Sequence, residues 1–188
     1  MAVGRHASAL PVVHHLERPP WYIHCGHLPG DEGLMNIAIV DARSTDGAAI
    51  TELLAELDRY YGDTQGELPP FEKRLAVVQE MLFATQPAAH MLLAYGDDTL
   101  LGLASYSFLW PGPRLQKVLF AKELYVCTRA RQTGIGRRLT QAVLQKARDA
   151  GCGRVEWMAF RQHEDTLRFY EHLGAPVLVD KVCYRIEL

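Results

Sequence analysis

No stretch of this 188-residue sequence approaches the roughly 20 consecutive apolar residues that a membrane-spanning helix needs. An excess of positive charge is also missing: the formal net charge is -2, whereas a generic nucleic-acid-binding protein is usually strongly basic. Cysteine is scarce, and the four cysteines form no C-x-x-C pair, which excludes a disulfide-built miniprotein. We therefore expect no membrane and no nucleic-acid partner, and a cytoplasmic location.

The first 34 residues differ in composition from the rest of the chain. They hold five of the eight histidines and four of the ten prolines, and neither a helical nor a strand period runs through them. We predict that 1–34 is an N-terminal extension, weakly ordered or packed on a domain that spans 35–188. A metal site at His24, Cys25 and His27 is the alternative. The spacing H-C-x-H matches no structural zinc pattern, so we predict no metal.

Apolar periodicity from Met35 onward predicts strands and helices in alternation. Ser44 or Thr45 is expected to cap the first helix, and Gly151 and Gly174 to end later ones in a left-handed conformation. The predicted strands are 35–41, 90–95, 99–109, 117–126, 154–159, 176–179 and 181–187, and the predicted helices are 47–61, 71–84, about 135–150 and 164–173. This order indicates an α/β sheet domain and not a set of repeats.

The segment Arg131-Gln-Thr-Gly-Ile-Gly136 follows a predicted strand and opens a predicted helix. The first turn of a helix presents N–H groups without intrahelical acceptors, and the helix dipole favours negative charge there. Glycines allow an outside group to approach the backbone closely. Four arginines, at positions 129, 131, 137 and 138, lie in a stretch that contains no acid. The pattern predicts a cradle for an anion such as a pyrophosphate.

Two common phosphate-binding loops do not fit this segment. A P-loop needs a Lys-Ser/Thr pair after its last glycine, and none stands here. A dinucleotide fingerprint needs a third glycine where this chain has Leu139, and an acid after the next strand where it has Phe160 and Arg161.

From Met35 to its end the chain resembles the GNAT acyl-CoA transferases. KELYV (122–126) is similar to that family's fourth strand, RARQTGIGRRL (129–139) to its coenzyme A loop and FYEHLG (169–174) to its late, tyrosine-bearing helix. The resemblance implies an α/β fold with a mixed, mostly antiparallel central sheet flanked by about four helices. It also implies acetyl-CoA as co-substrate, N-acetyltransferase activity and a homodimer.

The resemblance also assigns roles to individual residues. Tyr170 would protonate the coenzyme thiolate. Glu123 would act as a base, directly or through a water, unless it is only a surface carboxylate; on a strand it should share one face with Ala121 and Tyr125. His163 stands where the family often has asparagine. The expected coenzyme contacts are Leu124, Tyr125, Val126, Arg131, Gln132, Thr133, Gly134, Ile135, Gly136, Arg137 and His163.

The region before Glu123 resembles the diamine acetyltransferase branch, in which an acid precedes the aligned residue. Here that position is Lys122, which would repel a polyamine at short range. Carboxylates and rings at the end of the first helix and in the loop after it could still line an amine pocket: Asp58, Tyr60, Tyr61, Asp63 and Glu67. We predict a small-molecule amine acceptor, with Tyr60, Tyr61 and Lys122 beside it. A protein acetyltransferase and a non-catalytic acyl-CoA sensor remain alternatives.

Overall fold

The computed structural model describes residues 36–62 and 67–186. The predicted extension 1–34, with the histidines weighed as metal ligands, lies outside the described residues, and so does Asp63. The chain divides into two compact units, with the boundary after Glu156. No helix in the described ranges is long and apolar enough to cross a membrane.

A five-stranded sheet forms the centre of the fold, with the strands in chain order β1-β2-β3-β4-β5. β1, β2, β3 and β4 pair antiparallel, each with the next. The strands are β1 Ile37–Asp41, β2 His90–Gly96, β3 Thr99–Leu109, β4 Lys117–Val126 and β5 Cys152–Trp157. The predicted fold class, with its mostly antiparallel sheet, is confirmed.

Four α-helices occur in the part of the chain that the structure describes: α1 Gly47–Tyr61, α2 Phe71–Phe83, α3 Ile135–Asp149 and α4 Glu164–His172. The predicted ranges of α1 and α2 are confirmed to within one residue. The predicted cap of α1 is wrong, because Ser44 and Thr45 lie in a short 3₁₀ turn and Asp46 occupies the cap position. The Asp46 carboxylate accepts hydrogen bonds from the Arg43 N–H (2.8 Å) and the Tyr95 hydroxyl (3.0 Å).

α1 and α3 lie on opposite faces of the sheet. A Cβ at Gly102 of β3 would meet the Leu139 and Ile135 side chains of α3, so α3 covers that face. The next residue along β3 is Leu103, which lies opposite Tyr125, and the Tyr125 hydroxyl reaches Glu56 of α1. Side chains alternate between the two faces of a strand, so the core has one layer between the sheet and α1 and another between the sheet and α3.

A β-bulge interrupts β4 at Lys122. Ser105 of β3 lies opposite Glu123, but the next residue, Tyr106, lies opposite Ala121, so Lys122 is the extra residue. Because Ser105 and Tyr106 point to opposite faces, so do Glu123 and Ala121. The prediction that Glu123 shares a face with Ala121 is therefore wrong, since it assumed an uninterrupted period of two.

The other half of that prediction is confirmed. Tyr125 lies opposite Leu103, two residues from Ser105, so Tyr125 and Glu123 share the face of the sheet that α1 covers. The bulge therefore turns Glu123 toward the aromatic end of α1. It also reverses the alternation of side chains between the two faces of the sheet for the residues of β4 before Lys122.

The C-terminal predictions are only partly met. β5 begins at Cys152, two residues before its predicted start, and Gly151 and Gly174 have the expected left-handed conformation (φ 68° and 74°). The predicted strands 176–179 and 181–187 are wrong for the described residues, because 175–186 form no strand. Val182, Tyr184 and Ile186 alternate as in a strand but are exposed. Alternation supplies a face to bury, but a strand also needs a hydrogen-bonding neighbour.

Candidate active site

The loop between β4 and α3 turns sharply at two left-handed residues. Gln132 has φ 64° and Gly134 has φ 82°. The Thr133 hydroxyl donates to the Ala130 carbonyl oxygen (2.6 Å) and closes the turn. A Cβ on Gly134 would meet no atom within 4 Å, so glycine is required here by the backbone angle and not by crowding within the protein.

The N-terminus of α3 opens directly from this turn. Gly134 is the cap residue, and its carbonyl oxygen accepts the Arg138 N–H (3.1 Å). Helix geometry leaves the N–H groups of the first turn without intrahelical acceptors. With left-handed residues just before it, this end of α3 has the backbone shape of an anion-binding concavity. Ile135 is buried against the sheet and holds the helix end in place.

The four arginines of this region have different surroundings. Arg129 and Arg137 are exposed, whereas Arg131 and Arg138 are half-buried. The Arg131 Nε donates to the Val126 carbonyl oxygen (3.2 Å), and its guanidinium carbon lies 4.2 Å from the centroid of the Tyr60 ring. The arginine that the motif places at the start of the loop therefore has its side chain on the end of α1.

Tyr125 is the centre of a cluster beneath that arginine. Its side chain is buried, with the whole residue 3% exposed, and its hydroxyl donates to the Glu56 carboxylate (2.9 Å). Tyr60, one helical turn after Glu56, packs its ring 6.0 Å from the Tyr125 ring centroid. Burial, and then the Glu56 carboxylate, raise the pKa of Tyr125 to about 12. Tyr125 is therefore a neutral hydrogen-bond donor near neutral pH.

Glu123 and Tyr61 stand beside this cluster. The Glu123 side chain is only 23% exposed, and its carboxylate accepts from the ammonium group of the more exposed Lys122 (2.9 Å). Burial, and then the charge of Glu123, raise the pKa of Tyr61, while Arg131 acts in the opposite direction. The first unit thus brings together Tyr60, Tyr61, Lys122 and Glu123, the predicted substrate and base residues it contains.

Tyr170 and His163 belong to the second unit. Tyr170 lies on α4, half-buried, with its ring 5.0 Å from that of Trp157 and 5.1 Å from that of Phe169. His163 precedes α4, and its carbonyl oxygen accepts the N–H groups of the first turn while its ring packs 5.5 Å from Phe160. Packing against these aromatic rings therefore restrains the ring of Tyr170.

Comparison with known proteins assigns the family. The sequence profile of the Acetyltransferase (GNAT) family matches residues 50–175, which is more than half of the chain. The chain belongs to the GNAT acetyltransferase family. Acetyl-CoA is in general the co-substrate of this family, and one solved structure of the same fold contains CoA.

The chain is also similar to individual proteins and solved structures. The L-ornithine N5-acetyltransferase NATA1 of Arabidopsis thaliana is 27% identical over 81 residues, which cover 43% of this GNAT chain and about a third (36%) of that protein. The integron cassette protein VCH_CASS6, from the mobile metagenome of V. cholerae, has 27% identity and a TM-score of 0.72, covering 81% and 93% of the two chains. The aminoglycoside N-acetyltransferase AAC(6')-Iy, solved with CoA, has the same fold at 20% identity and a TM-score of 0.66, covering 82% and 97%.

Sequence reasoning missed Glu56, the carboxylate that accepts the hydrogen bond of the Tyr125 hydroxyl. Its spacing of four from Tyr60 was the available signal, because residues four apart lie on one face of a helix. The predicted acid Asp58 is two residues from Tyr60, a spacing at which side chains do not face each other. Glu67, another predicted acid, lies within the described residues and is exposed.

Proposed function

We propose that this GNAT protein transfers the acetyl group of acetyl-CoA to a primary amine of a small molecule. The observation that carries the proposal is the junction of β4 and α3, where a left-handed Gly134 opens a helix end beside a cluster of tyrosines and carboxylates. The helix end suits a phosphorylated carrier, and the cluster of tyrosines and carboxylates suits a cationic acceptor.

The residues before α3 have the chemistry to hold coenzyme A. The N–H groups of Gly134, Ile135, Gly136 and Arg137 would bind the pyrophosphate, with the turn at Gln132 and Thr133 giving the backbone its shape. The backbone of Leu124, Tyr125 and Val126 would bind the pantetheine arm, and His163 would take the place of the family's asparagine. Bound acetyl-CoA supplies an acetyl thioester that a neutral amine can attack.

Two side chains would move protons. An amine with an ordinary pKa near 10 is mostly protonated at neutral pH, so it must lose a proton before it attacks. Glu123 would accept that proton, directly or through a water. Tyr170 would donate its hydroxyl proton to the departing sulfur, and its ring packs against Trp157 and Phe169.

Tyr60, Tyr61 and Lys122 would define the acceptor. Rings and a carboxylate attract an ammonium group, while the Lys122 ammonium at the bulge repels a second one. An amino acid with a side-chain amine, such as the ornithine named for the Arabidopsis relative, fits this balance better than a long polyamine, because its carboxylate offsets its second ammonium group. The cytoplasmic location and the homodimer stay predictions.

The test is release of free thiol from acetyl-CoA in the presence of an amine panel containing ornithine, diamines, an aminoglycoside and a lysine peptide. We expect turnover with a small amine. Tyr170→Phe should lower kcat by about 100-fold, since general acid catalysis contributes at least that factor, and should leave CoA affinity unchanged. Tyr184→Phe is the matched control, because Tyr184 is 90% exposed.

The other outcomes are equally specific. Coenzyme binding without turnover of any amine would identify a non-catalytic sensor. Turnover of the peptide alone would identify a protein acetyltransferase. Unchanged kcat in Tyr170→Phe would remove that residue from the mechanism.

A further inference from the structure

Arg131 connects three parts of the first unit. Its backbone belongs to the loop before α3, its Nε donates to the carbonyl oxygen of Val126 at the end of β4 (3.2 Å), and its guanidinium lies over the ring of Tyr60 at the end of α1 (4.2 Å). The Tyr125 ring is also near, 5.7 Å from the guanidinium carbon. A planar guanidinium can stack on a ring and donate in its own plane at the same time, which a lysine ammonium cannot do.

The ring beneath Arg131 is itself held in place. Tyr60 packs on Tyr125 and edge-on to Tyr61, and the Tyr125 hydroxyl is bound by Glu56 of the same helix. Any movement of the Tyr60 ring therefore disturbs the surface on which the arginine rests. The residue next to Arg131 is Gln132, whose left-handed conformation is uncommon for a side-chain-bearing residue and persists only when its neighbours restrain it.

We infer that Arg131 is a positioning residue that ties the loop before α3 to the end of α1. Through it, the Tyr60 ring holds the loop in the shape that the coenzyme pyrophosphate needs, although Tyr60 is not part of that loop. The inference rests on the proposed function for its ligand, and it adds a coupling: coenzyme binding and the aromatic acceptor side of α1 stabilise each other through one side chain.

The competing role for Arg131 is that of a positive charge in contact with phosphate. The two roles predict different variants to be harmful. A charge acting alone is largely preserved in Arg131→Lys, and it does not depend on Tyr60. A positioning role for Arg131 is lost in Arg131→Lys, because the lysine ammonium cannot stack on the ring. It is lost equally in Tyr60→Leu, because the ring itself is removed.

The first experiment needs no coenzyme. Hydrogen–deuterium exchange of the amides in 127–134 should become about fivefold faster in Tyr60→Leu, the factor expected for loss of a partly exposed cation–π contact. Tyr60→Phe keeps the ring and should restore wild-type exchange. Phe71→Leu is the matched control, because it removes a ring under Arg74 (5.7 Å) in α2, outside this cluster. Unchanged exchange in Tyr60→Leu would overturn the inference, whatever the protein binds.

The second experiment measures CoA affinity by calorimetry. We expect Tyr60→Leu and Arg131→Lys each to weaken CoA binding by about fivefold, and the double variant to be no weaker than Arg131→Lys alone, because both changes break one contact. Additive effects, or full affinity in Tyr60→Leu, would contradict the inference. No CoA binding by the wild-type protein would refute the proposed function, while the exchange experiment would still decide whether Arg131 couples the two elements.

Discussion

The junction of β4 and α3 and the C-terminal segment 175–186 were both predicted to form regular elements from the spacing of their apolar residues, yet they differ in structure. In the junction, β4 pairs along its length with β3, and Leu119, Tyr125, Ile135 and Leu139 are buried. In the C-terminal segment, Val179, Val182, Tyr184 and Ile186 are exposed and no strand forms. The comparison teaches that alternation marks which side chains can be buried, whereas a neighbouring strand and a covering helix decide whether they are.

The largest expected difference concerns stability. Leu139→Ala should lower the free energy of unfolding by about 2–5 kcal/mol, because Leu139 is 0% exposed and its removal leaves a cavity. Val182→Ala should change it by less than about 0.5 kcal/mol, since Val182 is 74% exposed. Urea denaturation of the two variants measures this. A cost above about 2 kcal/mol for Val182→Ala would mean that the segment is buried in solution.

A comparison of two of the left-handed glycines, Gly134 and Gly174, distinguishes backbone strain from a role in CoA binding. Gly134→Ala and Gly174→Ala should each cost about 1–2 kcal/mol, because both residues have positive φ and open space where a Cβ would stand. Only Gly134→Ala should also weaken CoA binding, since of these two glycines only Gly134 shapes the N-terminus of α3. Thermal denaturation and calorimetry give the two readouts. Equal loss of CoA affinity in both variants would contradict a specific role for Gly134.

Variants of Lys122 and Lys181 test a charge at the bulge against a charge in the C-terminal segment. Lys122→Gln should lower the KM for a diamine by about fivefold, because a repulsion of about 1 kcal/mol between two close charges in water is removed. The KM for acetyl-CoA should not change, and Lys181→Gln should leave both constants as they are. An unchanged diamine KM in Lys122→Gln would show that Lys122 does not face the acceptor.

The smallest expected effect is a pH dependence at Tyr125. Its pKa is about 12 in the folded protein against 10.0 ordinarily, so the stabilisation from the neutral buried phenol is complete below about pH 10 and is lost as pH rises toward 12. Tyr125→Phe should cost about 1 kcal/mol near neutral pH, and this difference should shrink between pH 10 and 12. Denaturation at several pH values tests this, with Tyr184→Phe, which changes an exposed tyrosine, as the control. A constant difference would contradict the burial of the phenol.

Much of the fold was predictable, and the errors have local causes. The ranges of α1, β3 and β4 follow from apolar spacing, because those elements bury one face against a neighbour. The cap of α1 was missed because Asp46 bonds the Arg43 backbone and Tyr95, which is distant in sequence. The bulge at Lys122 was missed because it depends on the pairing of β4 with β3, and pairing is not written in either strand alone.

The sequence indicated most residues of the candidate site but not the contacts between them. The motif indicated Arg131 and Gly134, and the resemblance indicated Tyr170 and Glu123. The attraction of rings for a cation indicated the two tyrosines at the end of α1. Nothing in the motif places the Arg131 guanidinium on Tyr60, which is 71 residues earlier in the chain. Glu56 was not selected, because a carboxylate on a helix gains its partner only when the sheet brings Tyr125 beneath it.

The sequence by itself determined the helix and strand periods, the glycine at the cap of α3 and the family, because these depend on neighbours within a few residues or on an ordered motif. Only the tertiary structure decided which face Glu123 occupies, where the Arg131 side chain rests and which carboxylate meets Tyr125. Those choices depend on strand register and on helix packing, which bring together residues far apart in the chain and whose energies no short segment contains.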